Sequence, residues 1–413
     1  MSVPATAVLG IARWTFLVAL FVLANLIGNA SPYLYLLALL VALPFLIAEP
    51  MARAAMNRRE SYGYVAAFLC IAIAYIFAKG GWSNFDNLGN FVPYLLFVPA
   101  LGLLDGGSKP SNTARVATLA LIGAAIAAAV ASYEKFALGH DRVVGFINTT
   151  NPFAMASVML GFLSLMGFLA LKDRRRYLFC LGPVLGTYAA ILAETRAVML
   201  IVLVLCVVFA VCVGIQLSKR GRLVLLLTSL VGVLAGTAIL LQLGATVRAF
   251  SAIESVQHFL TEGAAIDHSV AIRLELYRGG IMAFLDAPIF GYGSRHHVEA
   301  ARPFMEPGIA AEVAGWSHLH NDYINFAALA GIFGLVSYGL YLLIPIVSTW
   351  KSVRDSQYHA RCYGGWVVTV CYAVYGLFGS AFAAELLLAF GAMCTATLLS
   401  FCKDERAVPL ATS

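Results

Sequence analysis

The chain has 413 residues, 61% of them apolar and only 12% charged, with a mean hydropathy of +0.86. That balance lies far outside the range of soluble globular proteins and points to segments that live in hydrocarbon. The net charge of +6 follows membrane topology, as its distribution below shows, and does not call for nucleic acid.

Hydropathy windows place twelve spans, at about 9 to 28, 31 to 48, 62 to 78, 88 to 104, 114 to 132, 151 to 171, 177 to 194, 197 to 217, 223 to 243, 323 to 348, 362 to 381 and 384 to 402. After the first, Gly28-Asn29-Ala30 resembles a small-residue cleavage site, but the spans that follow make it a retained anchor. Arg142 stands in the loop before the sixth span, in Asp141-Arg142-Val143-Val144-Gly145. Arg196 stands between the seventh and eighth spans, in Ala193-Glu194-Thr195-Arg196-Ala197, with almost no loop around it. An unpaired charge at mid-bilayer costs roughly 2.5 to 3.5 kcal/mol. Either Glu194 or snorkelling at the hairpin tip compensates Arg196, or the guanidinium faces a cavity and contacts an anion; the other outer arginines favour the second.

Residues 244–322 then form a loop of 79 residues with six of the eight histidines, nine acidic residues and five basic ones. Val247 to Leu260 and Ala271 to Leu285 carry apolar residues at helical spacing, and Asp286-Ala287-Pro288 with Gly291-Tyr292-Gly293 end the second stretch. Helices lying on the membrane are expected there. Arg273 lies on the second, in Ile272-Arg273-Leu274-Glu275-Leu276-Tyr277-Arg278. The acidic excess speaks against a diffuse polyanion face and for individually placed guanidinium groups, which grip phosphate bidentately. Taken singly, each of these arginines is more often a surface ion pair.

The loop closes on His318-Leu319-His320-Asn321, which runs into a span carrying Gly331 and Gly334. Two imidazoles at a membrane surface can do chemistry on something held in the bilayer. As an HxH pair they could ligate zinc, but no acidic or cysteine partner stands at recognisable spacing. A neutral imidazole acting as general base, with Asn321 capping the next helix or orienting a ligand, fits better. His258, His268, His296 and His297 read as capping, carbonyl-bonded or solvated.

The organisation is therefore 1–243 with nine spans, the loop 244–322 with the candidate site, 323–402 with three spans, and the tail 403–413. With the N-terminus cytoplasmic, the inner segments hold 18 of the 27 basic residues and the outer ones nine, five of them in the long loop. The positive-inside rule then puts both termini in the cytoplasm and the loop on the far side. All eight cysteines lie in or at the ends of apolar spans with no CxxC spacing, so neither a disulfide framework nor a metal centre is expected. No Walker sequence, Rossmann fingerprint or acidic loop pair occurs. No cofactor is expected, and the energy for any reaction must come from the substrate.

His320-Asn321, nine residues, then Gly331-Ile332-Phe333-Gly334 resembles the H-N-x9-G-x-x-G pattern of the O-antigen ligase and polymerase superfamily of polytopic membrane glycosyltransferases. Glu194-Thr195-Arg196, the stretch from Arg273 through Tyr277 to Pro288 and Gly291-Tyr292-Gly293, and Gly145 to Ala154 with Asn151-Pro152 look similar too. The likeness covers the C-terminal two thirds of the chain; the first four spans match only in hydropathy. It implies transfer of a finished polysaccharide from undecaprenyl diphosphate to a sugar hydroxyl of the lipid A core, at the periplasmic face of the Gram-negative inner membrane, without metal or nucleotide. By the same resemblance His320 is the base, Arg196 and Arg273 hold the diphosphate, Arg142 is a weaker candidate for that role, and the part of His318 is open. An O-antigen polymerase or a protein O-oligosaccharyltransferase would use the same chemistry. A transporter, with Glu49 and Glu385 as relay residues, is the alternative from another class, and the absence of hydropathic symmetry between the halves counts against it.

Overall fold

The computed structural model describes residues 5–79, 81–105, 112–147, 149–222, 254, 256–259, 261 and 267–403. The span expected at 223 to 243, most of the stretch Val247 to Leu260 and the tail after Lys403 lie outside the described residues. Among the described residues every regular element is a helix. The principal ones are α1 (Ala5–Phe21), α2 (Ser31–Ala48), α3 (Arg59–Phe77), α4 (Val92–Asp105), α5 (Thr113–Ser132), α6 (Thr150–Ser164), α7 (Leu181–Leu192), α8 (Arg196–Gln216), α9 (His268–Asp286), α10 (Asp322–Trp350), α11 (Tyr358–Tyr375) and α12 (Glu385–Ser400).

Crossing a bilayer takes about 20 apolar residues. Seven helical segments are long and apolar enough: Ala24–Ala48, Arg59–Phe77, Asn87–Asp105, Thr113–Ala137, Thr150–Ala170, Val198–Gln216 and Asp322–Trp350. Each coincides with a span expected from hydropathy. Four further expected spans correspond to α1, α7, α11 and α12; α1 and α12 are apolar but short, α7 has 12 residues, and α11 carries His359 and Arg361 in its first turn.

Helix α6 is buried from Pro152 to Ser164 and packs against α5, α7 and α11. Its approach to α7 is backbone to backbone: a Cβ on Gly186 would stand 2.3 Å from Ser157 O. Small residues at such crossings let helices associate by van der Waals contact where no hydrophobic drive exists between them. A second centre is aromatic. Tyr94 stacks on Tyr341 at 5.4 Å and Tyr64 on Phe97 at 4.1 Å, while Phe382 meets Tyr341 edge-on at 4.9 Å. Two of the buried hydroxyls there donate to main-chain carbonyls, Tyr341 to Leu388 O at 3.0 Å and Tyr338 to Tyr372 O at 3.1 Å, in place of absent water.

The span expected as one continuous helix is bent. Gly331 interrupts α10 with φ 62 and ψ −144. Carbonyls and amides freed by the break find partners in the loop that follows α9: Tyr292 N donates to Ala328 O at 3.0 Å, Gly293 N to Leu329 O at 2.8 Å, and Ile332 N to Pro288 O at 2.8 Å. The approach is so close that a Cβ on Gly331 would lie 2.4 Å from Ile289 O, and one on Gly334 2.0 Å from Phe326 O. Lys79, just after α3, donates from its backbone to Gly291 O at 3.2 Å and from its side chain to Asp286, fixing the same loop from the other side.

The other end of α10 is closed by charge. Arg361 is fully buried, with Nη1 donating to Cys402 O at 2.7 Å and pairing with Asp355 at 3.1 Å, and Nε donating to Ser352 Oγ at 2.7 Å. Arg58 and Lys403 share Asp105 beside it. Satisfied on every side, these cations close the basic end of the bundle.

Gly331→Ala should lower stability by about 1 to 3 kcal/mol from its dihedral alone, before the clash with Ile289. Gly339→Ala, in open space on the same helix, should hold or raise stability; thermal unfolding of the two variants in detergent compares them.

Candidate active site

His320 sits in the turn before α10 with φ 53, one of only two described residues other than glycine with positive φ. Such a conformation costs an ordinary side chain roughly 1 to 3 kcal/mol and survives only where neighbours over-determine it. They do so on both sides. Before it, Leu319 is buried and its N–H donates to Asn325 Oδ1 at 3.1 Å, an oxygen that also accepts from the buried His297 Nε2 at 2.9 Å. After it, Asn321 caps α10 by accepting from Ile324 N at 3.1 Å, and its Nδ2 donates to Leu377 O at 3.1 Å. Asp322, wholly buried, accepts from Ser380 Oγ at 2.8 Å and Ala381 N at 2.9 Å, while its own N–H donates to Gly376 O at 2.7 Å. Tyr277 O–H reaches His320 O at 3.2 Å from α9.

The imidazole itself makes no hydrogen bond to a described residue and is half-buried among rings. Trp316 meets it edge-on at 5.1 Å and His318 lies 4.4 Å away. Burial first, then His318 and the nearby Arg273, push the His320 pKa down to about 4. Burial also lowers the pKa of His318, whose Nδ1 is 3.0 Å from Ser317 Oγ, and takes His297 down to about 4. The site therefore presents neutral imidazoles at neutral pH beside one exposed guanidinium. Arg273 forms no ion pair with a described residue and lies one turn before Tyr277 on α9.

The other two arginines form a second group. Arg196 begins α8, after Glu194 with φ 55 and the extended Thr195. Glu194 pairs with Lys135 at 3.5 Å. The loop bearing Arg142 is seated by the buried Glu134, which accepts from Val144 N at 2.9 Å and Gly145 N at 3.1 Å, and by Val143 N donating to Leu192 O at 3.4 Å. Arg142 itself is exposed and reaches Thr150 Oγ1 at 3.5 Å. The loops of Arg142 and Arg196 are thus neighbours. No described contact joins them directly to His320, whereas Arg273 is brought to it. No third His, Cys, Asp or Glu joins His318 and His320 in a metal-ligating group among the described residues.

Residues 181–339 match the family model for O-antigen ligase. Over that segment the chain resembles the O-antigen ligase/polymerase superfamily. It is 24% identical to an uncharacterised protein of Haemophilus influenzae over 361 residues, 84% of this chain and 87% of that one. To an O-antigen ligase of Escherichia coli K12 it is 23% identical over 201 residues, covering 48% of this chain and 47% of the relative. Members of the superfamily are glycosyltransferase-like membrane enzymes, and the apolar helices make this chain a membrane protein. The matched segment holds Arg196, Arg273, His318, His320, Asn321, Gly331 and Gly334; Arg142 lies before it.

Asp322, Asn325, His297, Trp316 and the Tyr277 hydroxyl were not singled out by sequence as parts of the site. An acidic residue opening an apolar span marks Asp322, and Asn325 stands one helical turn after Asn321. The other three carry no sequence signal beyond residue type.

Below about 6.5 an unfolded histidine takes up a proton, which the folded His320 refuses until about 4. Stability should therefore fall as pH drops through that window, and His320→Gln should flatten the slope, read as unfolding temperature against pH. At pH 7, His320→Gly should unfold at a higher temperature than His320→Ala, because glycine alone adopts φ 53 without strain.

Proposed function

We propose that this protein is an O-antigen ligase: it transfers a polysaccharide from undecaprenyl diphosphate to a sugar hydroxyl of the lipid A core. The observation that carries the reading is the placement of Arg273 beside an unpaired, neutral His320, within a segment that matches the ligase family. In this reading the chain spans the inner membrane of a Gram-negative cell twelve times, both termini are cytoplasmic, and residues 244–322 lie at the periplasmic face.

The chemistry is one displacement. The acceptor oxygen attacks the anomeric carbon, the bond from that carbon to the diphosphate breaks, and undecaprenyl diphosphate leaves with the electron pair. His320 takes the proton of the acceptor hydroxyl. Arg273 and Arg196, with Arg142 in a lesser part, receive the charge that grows on the leaving diphosphate, a role that suits the planar guanidinium. A single displacement inverts the anomeric centre. Asn321 orients the turn, and His318 lines the site beside the base. The activated donor carries the energy, so neither nucleotide nor metal enters.

An imidazole with a pKa of about 4 is a weak base until the donor arrives. A diphosphate seated on Arg273 offsets that cation and adds negative charge near the ring, and both effects raise its proton affinity. Donor binding then switches the base on. The acid limb of kcat against pH should consequently lie above the acid limb of kcat/KM, which reports the free enzyme.

The test incubates the purified protein in detergent, without metal or nucleotide, with undecaprenyl-diphosphate-linked polysaccharide and lipid A core. Wild-type protein should form the conjugate, and His320→Ala should lose about 10²- to 10⁴-fold in rate while still binding donor. Arg273→Ala should weaken donor binding, with Arg273→Lys a poor rescue. Longer lipid-linked chains in place of the conjugate would make the protein a polymerase. Near-normal transfer by His320→Ala would sink the base assignment.

A further inference from the structure

We propose that Tyr277 is the positioning residue of this site: its hydroxyl holds the main chain of His320 and ties the base to the helix that carries Arg273. This inference rests on the ligase reading for its catalytic consequence, but its geometry stands apart from it.

Tyr277 O–H lies 3.2 Å from His320 O and 3.1 Å from Leu377 O. A hydroxyl has a single proton to give. Leu377 O also accepts from Asn321 Nδ2 at 3.1 Å, so the Tyr277 proton is shared between the two carbonyls and ties the turn of His320 to the chain at Leu377. The bond falls on the one residue of the turn whose backbone is left-handed, φ 53, where an external tether does most to hold an unfavourable conformation. Of the tethers around the base, those of Leu319, Asn321 and Asp322 fix the chain before and after it. Tyr277 is the described side chain that bonds the peptide of His320 itself.

The origin of the tether matters as much as its end. Arg273 and Tyr277 are four residues apart on α9 and so share a face. Burial dominates both groups, raising the Tyr277 pKa and lowering that of His320, and the Arg273 charge is near enough to act on each. A donor gripped by Arg273 and an acceptor approaching His320 are thus brought to a common distance by one rigid helical turn, with the tyrosine ring as the spacer. The ring is held among the buried and half-buried side chains of α9 and its neighbours, so the spacer is stiff. Misplacing a catalytic group by an ångström costs rate rather than affinity.

Tyr277→Phe removes only the hydroxyl. In the full-length protein it should lower kcat about tenfold and leave donor KM unchanged, since Arg273 is untouched. A readout independent of transfer is the rate at which diethyl pyrocarbonate modifies His320, followed by mass spectrometry with His359, at the far end of α10 in the bundle, as internal control. With its peptide released, His320 should be modified several-fold faster in Tyr277→Phe, and His359 at the wild-type rate. Unchanged kcat with unchanged His320 labelling overturns the proposal. Equal losses of kcat and donor affinity, together with faster labelling of His359, overturn it too, by making Tyr277 a residue of general folding. If wild-type protein transfers no glycan, the ligase reading fails, while the labelling contrast still decides whether Tyr277 holds His320.

Discussion

Hydrocarbon supplies no hydrogen bonds, so any break in a spanning helix must be satisfied from within the protein. The break at Gly331 meets that demand with the backbone of residues 288–293, three main-chain bonds joining the bent α10 to the end of α9. Much of the site depends on this seam. It docks the loop helix that carries Arg273 and Tyr277 against the helix whose first turn follows His320. Gly331 and Gly334 are required because a side chain at either would occupy space already held by carbonyl oxygens. The glycines of the motif thus act through backbone contact rather than chemistry, and the histidine they accompany acquires its position from them.

The same economy governs charge. At the basic end of the bundle Arg361, Arg58 and Lys403 are bonded to Asp355, Asp105 and main-chain carbonyls, and those cations serve the fold. At the opposite end of α10 the arrangement is reversed: among the described residues Arg273 has no carboxylate partner and the ring of His320 has no hydrogen-bond partner. A guanidinium without a carboxylate partner among the described residues, beside a half-buried imidazole, is the arrangement on which the proposed role of this end rests. Burial is the main cause that lowers the proton affinity of the imidazole, and His318 and Arg273 add to it.

Reading the sequence located most of what hydropathy and residue type control. Seven expected spans are helices of spanning length, the second loop helix ends at Asp286 as its turn residues require, and Asn321 caps the helix that follows it. Less legible was the bend in α10, since Gly331 inside an apolar run reads equally as a small packing residue. His297 was grouped with the capping, carbonyl-bonded or solvated histidines, and it is buried with its ring bonded to the amide oxygen of Asn325. Nothing local distinguishes it from its neighbour His296. Arg142, Arg196 and Arg273 read as one set of anion contacts; the described contacts join the loop of Arg142 to the turn before Arg196, and the charge of Arg273 acts on His320.

What the sequence by itself determined is the medium and the groups available: runs of apolar residues fix a helical membrane protein, and a histidine followed by asparagine at the edge of a span puts a titratable ring and a helix cap there. These follow from residue type and spacing along the chain, which transfer free energies and capping read directly. Only the tertiary structure decided that His320 is left-handed, that Tyr277 from a helix more than forty residues earlier reaches its carbonyl, and that Arg273 is the arginine placed beside it. Those relations depend on how the helix break at Gly331 brings distant segments together, and backbone contact of that kind leaves no periodicity for a sequence to display.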